Sequence, residues 1–148
     1  MSATSVVLDC AALSDLADAE TKRPSLKTRA ILRVAWERGH QVLVPAVVCA
    51  EACRGQARTR AVEALLARHA PDQQQLRPIR VIDTNFDMAR VVGAVLFAGN
   101  AGSEDLVDAH LVSICINRGG GVILTSDPSD LHRLSAPFLG VRIFARKI

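Results

Sequence analysis

Tyrosine is absent from this 148-residue chain, and other aromatics are scarce, with one Trp and four Phe. Composition therefore offers no row of rings on which a single strand could stack its bases. No apolar run approaches the ~20 residues of a membrane span. The N-terminus has neither a charged n-region nor a long apolar core. A soluble, cytoplasmic protein with no membrane partner is expected. The four cysteines, Cys10, Cys49, Cys53 and Cys115, form no CxxC pair and no disulfide framework. Cys49 and Cys53 are spaced i, i+4 and could touch a metal. With no second pair nearby, small buried core residues are the better reading. Repeats and linker-like stretches are missing too, so a single domain over 1–148 is expected, long enough for a real core.

What is present is apolar and arginine-rich. Nearly half the residues are hydrophobic, which predicts a globular chain. Of the 18 basic residues only three are Lys, and the formal net charge is +3. If four of the 15 acids gather in one site, the remainder carries 18 basic residues against 11 acidic ones, or +7. A basic surface around an acidic pocket suits a polyanion held near a metal. Arg forks suit phosphate, although a GC-rich genome gives the same bias.

The stretch from Ser103 to Asp130 carries the densest signal. It reads as a helix, a Gly-rich turn, a buried strand at Gly121–Thr125 and the start of another helix. Ser103 is an expected N-cap, which puts Glu104 and Asp105 in a first turn where the helix dipole favours negative charge. Asp108 falls in the second turn, on the same face as Asp105 and among apolar neighbours, so the dipole does not explain it. Asp127 follows the strand directly, where open α/β sheets bind ligands. Ser126-Asp127-Pro128 also fits a helix start, with Asp127 as N-cap. Asp130 lies just beyond.

Earlier in the chain the same arrangement recurs. Ser5–Asp9 reads as a short buried strand ending in a carboxylate, and Ala11–Ala17 as a short helix. A polar loop is expected over 18–24. Residues 25–38 predict an amphipathic helix with Leu26, Ala30, Ile31, Val34 and Ala35 inward, and Gly39 suits its end. The outward basic face can meet RNA or a partner, and a merely solvated face looks the same. Gln41–Pro45 is a second strand, followed from Ala46 by a helix of small and apolar residues that holds one carboxylate, Glu51. A lone carboxylate there needs solvent, an Arg or a metal. More helix is expected to Ala70 and then a loop through Gln75. A third strand over Leu76–Ile82 is placed at an edge by Pro78. Asn85–Phe97 reads as helix and Gly140–Phe144 as the last strand, before a basic tail. Alternating strands and helices predict an α/β three-layer sandwich with a mainly parallel sheet.

Val-Val-Leu-Asp9, Val-Pro-Ala-Val-Val-Cys-Ala-Glu51, Leu-Val-Asp108-Ala-His and Ile-Leu-Thr125-Ser-Asp127-Pro-Ser-Asp130 follow one another in order. With these four motifs the chain resembles a PIN-domain nuclease, of the kind found as VapC-type toxins in toxin–antitoxin pairs, through nearly its whole length. By that resemblance Asp9, Glu51, Asp108 and Asp127 match an acidic quartet that holds metal and does the catalysis. Thr125 matches a nearby hydroxyl position. Cys10 departs from the Thr, Ser or Ala common after the first acid. Asp105 and Asp130 are additional acids whose roles the resemblance leaves open. It implies RNA hydrolysis, a small antitoxin that covers the pocket with an inserted Arg or Lys, and a homodimer.

The residue types agree with that chemistry. Oxygen ligands with no His or Cys in the motifs suit Mg²⁺ or Mn²⁺ rather than Zn²⁺. His110 and His132 are read as structural or surface groups. A haloacid-dehalogenase-like phosphatase needs an Asp-x-Asp pair after the first strand, and Asp9-Cys-Ala lacks it. A receiver-like module needs a late Lys at a strand end, and the last Lys, Lys147, stands in the tail. A PIN-like module that binds RNA or protein without turnover remains the alternative to the enzyme.

Overall fold

Val6, Val7 and Leu8 lose nearly all their surface, as β-branched and apolar residues do in a strand covered on both faces. They belong to β1 (Ser5–Leu8), the middle strand of the computed structural model, which describes residues 4–18 and 26–148. Helix α1 (Cys10–Ala17) follows, then α2 (Leu26–Glu37), β2 (Gln41–Pro45), α3 (Ala46–Ala52) and α4 (Gln56–Arg68). Next come β3 (Ile79–Ile82), α5 (Phe86–Ala98), α6 (Leu106–Asn117), β4 (Gly120–Thr125), α7 (Ser129–Ser135) and β5 (Arg142–Lys147). All but Asp18 of the expected loop over 18–24, and the first residue of the helix expected from 25, lie outside the described residues.

The five strands form one sheet in the order β3-β2-β1-β4-β5, and every pairing is parallel. The chain moves outward from β1 to β2 and β3, then returns to β4 on the other side and moves outward to β5. Right-handed crossovers therefore place α1–α4 on one face and α5–α7 on the other, and helices on each face pack against one another. The sheet is more uniform than the mainly parallel one expected. Between β1 and β4 the chain direction across the sheet reverses, which opens a crevice at their carboxyl ends.

Several local expectations shift. Helix α2 buries Thr28, Leu32 and Ala35, while Leu26 and Val34 are exposed. The inward stripe is thus rotated from the one expected. It is tolerated because the buried Thr28 hydroxyl donates to Asp15 Oδ2 at 3.3 Å. Trp36, at the end of α2, donates from Nε1 to the Pro78 carbonyl and stacks on His69 with ring centroids 5.4 Å apart. That contact ties α2, α4 and the start of β3 together. Pro78 itself falls outside β3, which does lie at an edge.

Strand β5 begins later and runs through the residues expected as a basic tail, pairing with β4 as far as Thr125–Lys147. Its exposed Arg142, Phe144 and Arg146 alternate with half-buried Ile143 and Ala145. That period of two belongs to an edge strand with one wet face. Helix α6 is buried on nearly all sides, from Ala109 to Cys115. At its end Gly119 adopts φ +76, a left-handed turn residue. Gly121 lets β4 approach closely, because a Cβ there would sit 3.0 Å from both Cys115 Sγ and the Ser5 carbonyl. Only Cys115 is fully buried; Cys10, Cys49 and Cys53 are half-buried at the margin of the core. No helix among the described residues is long and apolar enough to cross a membrane.

Candidate metal centre

Because all strands are parallel, their carboxyl ends share one edge, and the acids singled out from the sequence are delivered there from both faces. Asp9 stands directly after β1 and caps α1, its Oδ1 accepting from the Ala12 N–H at 2.9 Å. Glu51 is half-buried on α3, which meets α6 above the sheet edge. Asp108 lies in the first turn of α6, not the second. The difference arises because Ser103–Asp105 form a separate 3₁₀ turn that leads into α6. Ser103 makes no cap: the turn is preceded by Gly102, with no side-chain cap bond.

Asp105 changes most from its sequence reading. It is only 7% exposed, which a solvated first-turn acid would not be. Its Oδ1 accepts from Arg133 Nη2 at 2.8 Å. Arg133 comes from α7, and the same Nη2 lies 3.3 Å from Asp130 Oδ1, one helical turn earlier. One carboxylate oxygen from each of Asp105, Asp108 and Asp130 lies within 4.8 Å of the others. Burial pushes the Asp108 carboxyl up to about 6, helped by the charges of Asp130, Asp9, Asp105 and Glu51. Four other acids thus act on Asp108 at this edge. Burial also raises Asp9, against the lowering effect of hydrogen bonds from Thr125 and from the backbone of Ala12, Ser126 and Ala11.

Thr125 is buried, and its hydroxyl lies between the Asp9 carboxylate and the Asp127 carbonyl, 3.2 Å from the latter. With one proton to give, the hydroxyl favours the charged carboxylate. The same oxygen accepts from the Asp127 N–H at 3.1 Å. The side chain of Asp127 turns elsewhere. Its Oδ1 accepts from the Ser129 hydroxyl at 2.8 Å and the Ser129 N–H at 3.2 Å. Those bonds, with Lys147 nearby, hold it below the usual carboxylate range, and none of the other acids acts on it. Asp127 therefore closes a local turn before α7 rather than joining the other carboxylates. It stands one residue ahead of the N-cap, Pro128.

His110 is buried and its Nδ1 pairs with the Leu106 carbonyl at 2.8 Å, a structural contact, while His132 is exposed. Arg133 was not singled out from the sequence. Its signal was present as an Asp130–Arg133 pair at i, i+3 on one helix. The link to Asp105, 28 residues away, had no local signal. The donor set suits a hard cation: carboxylate oxygens from several elements, crowded enough to raise Asp108, with no thiol or imidazole among the converging atoms. A divalent ion would relieve that crowding.

No family model matches the chain, and no curated protein matches it in sequence. Among solved structures it is similar to VapBC2 from Rickettsia felis, determined bound to a DNA fragment from its promoter. The TM-score is 0.62 at 13% identity, over 97% of this chain and 100% of that one. It is also similar to FitAB bound to an IR36 DNA fragment, with TM-score 0.60 and 13% identity over 95% and 94% of the two chains. The likeness is one of fold: a PIN-like three-layer α/β sandwich across nearly the whole chain.

Proposed function

From this PIN-like fold and the carboxylates at its switch point, we propose that the protein is a divalent-metal-dependent ribonuclease, the toxin of a toxin–antitoxin pair. The observation that carries the proposal is the convergence at Asp108. One of its oxygens lies within 4.8 Å of an oxygen from each of Asp105 and Asp130, and a half-buried carboxyl crowded in this way is costly to ionise unless a cation joins it. In this reading Asp9, Glu51, Asp108 and Asp127 form the acidic set, with Asp105 and Asp130 beside it. The residues enter unequally. Asp108 is central, and Asp9 is pre-oriented by Ala12 and Thr125. Asp127 has its Oδ1 held by Ser129.

A bound Mg²⁺ or Mn²⁺ would supply Lewis-acid polarisation of the phosphodiester and a water of lowered pKa. The chain's own residues orient that chemistry. Thr125 fixes Asp9, the 3₁₀ turn buries Asp105, and the chain's surplus of basic residues draws the RNA backbone. The test is cleavage of host RNA by purified protein. It should require Mg²⁺ or Mn²⁺, stop with chelator and fall steeply as salt rises. Protein that binds no divalent ion and cuts no RNA would sink the enzyme reading.

One observation favours the second reading, a PIN-like module without turnover: Arg133 already pairs with two of the converging carboxylates. Metal-dependent cleavage separates the two. For the partner, we propose a small antitoxin that covers the acidic edge with an inserted Arg or Lys and supplies apolar and acidic side chains to a second surface. A cavity of about 520 Å³ between α2 and α4 is lined by Leu26, Arg29, Arg33, Trp36, Arg68 and His69 among others, a surface that is both greasy and basic. The protein is further proposed to act in the cytoplasm, as a homodimer. Expression alone should slow growth, and an adjacent small reading frame should restore it.

A further inference from the structure

The acidic edge already contains a cation of its own. Arg133 Nη2 reaches Asp105 Oδ1 at 2.8 Å and Asp130 Oδ1 at 3.3 Å. These are two of the three carboxylates whose oxygens converge within 4.8 Å. Asp105 is nearly buried and can neither swing into water nor be neutralised by it, so it needs a partner. Arg133 is different: its side chain is 46% exposed, so it can leave the pair for solvent at little steric cost. The guanidinium does not lose its proton in a protein, so at neutral pH a competing cation can end the pairing by displacing it.

We propose that Arg133 is a built-in competitor for the divalent ion. It occupies one oxygen of Asp105 and one of Asp130, and an ion that takes those oxygens must displace it. The inference rests on the metal-centre reading above and adds to it a residue that the acidic motifs do not contain. The energetics are those of linkage. Whatever stabilises the ion-free arrangement weakens ion binding by the same factor. Arg133 therefore keeps the ion-free fold intact and sets the affinity lower than the bare carboxylates would. Once displaced, the guanidinium remains on the rim beside the site, one turn from Asp130, where a phosphate of the polyanion could accept it. A residue that merely oriented Asp105 and Asp130 for the ion would act in the opposite direction, and its loss would weaken binding.

The experiment is a Mn²⁺ titration of the full chain, wild type against Arg133→Gln, by calorimetry or by the electron paramagnetic resonance of free Mn²⁺. Thermal melts with and without Mn²⁺ are run in parallel. Arg133→Gln should bind Mn²⁺ roughly tenfold more tightly. It should melt several degrees lower without metal and recover most of that loss at saturating Mn²⁺. Arg133→Lys should fall between, since it keeps the charge but loses the fork. Arg142→Gln, which removes the same charge at the opposite end of the sheet, should leave the affinity unchanged. Unchanged or weaker Mn²⁺ binding in a folded Arg133→Gln protein overturns the inference and leaves the metal centre standing. Equal tightening by Arg142→Gln also overturns it, since bulk charge would then be the cause. Absence of Mn²⁺ binding in both wild type and Arg133→Gln removes the metal reading and the inference together.

Discussion

Two acidic regions border the same crevice, and they are built in opposite ways. Around the start of α6, Asp108 is half-buried, has no hydrogen-bond donor among the described residues and is pushed up to about 6 by burial and by four neighbouring acids. In the loop after β4, Asp127 is exposed, accepts two bonds from Ser129 and is held below the usual carboxylate range. One carboxylate is in tension with its surroundings and the other is satisfied by its own turn. An acid whose needs are met locally stabilises a fold. An acid kept in tension by the fold points to something that binds. Position after a strand does not distinguish them, because both stand at carboxyl ends or helix starts along one edge.

The largest expected effect lies on the first of these. Asp108→Asn should lower the cleavage rate by on the order of 10²-fold or more and weaken Mn²⁺ binding. Without metal it should melt higher than wild type, since one charge leaves a crowded group. Asp127→Asn keeps an Oδ1 acceptor for Ser129, and should keep more activity than Asp108→Asn. The comparison breaks if the two variants are equally dead, because the Asp127 carboxylate would then serve the ion as fully as Asp108 does.

A second test uses pH on metal-free protein. The folded Asp108 carboxyl titrates above its unfolded value, so its protonated form favours the fold. That contribution is complete below about pH 4 and is lost as pH rises through about 6. The melting temperature should therefore decline between about pH 4 and 6, and Asp9, raised in the same direction, adds to the decline. Asp108→Asn should flatten the curve, and saturating Mn²⁺ should reverse it. Asp127 contributes in the other direction, losing its stabilisation only as pH falls through a value below the usual range. Its variants should leave the slope between about pH 4 and 6 alone.

The smallest effect concerns stability at the loop. Asp127→Ala removes the acceptor for both Ser129 bonds and should lower the melting temperature slightly, and Asp127→Asn less, as Asn replaces Asp in caps and turns. A large drop with either would mean that the loop supports the crevice rather than merely closing a turn.

Much of the architecture was legible in the sequence because its signals are local. Short apolar runs bounded by Gly, Pro or Asp marked β1, β2 and β4, and their alternation with helices led to the parallel three-layer fold. Pro78 led to the edge placement of β3, although it stands one residue before the strand and takes no part in its ladder. Where a signal depended on which side a neighbour would cover, it was misread. The inward face of α2 depends on Thr28 finding Asp15, and the wet face of β5 made a strand look like a basic tail.

The candidate site divides in the same way. Residue type and order by themselves determined that Asp9, Glu51, Asp108 and Asp127 stand at strand ends or on the helices that follow, and that their oxygens suit a hard cation. Only the tertiary structure decided which of those carboxylates share a space. A 3₁₀ turn rather than a Ser103 cap carries Asp105 inward, and α7 brings Asp130 and Arg133 against it across 28 and fewer residues of chain. The turn at Ser129 draws Asp127 away. Charge coupling falls off within a few ångströms and depends on burial, and neither quantity exists until helices from both faces of the sheet have packed.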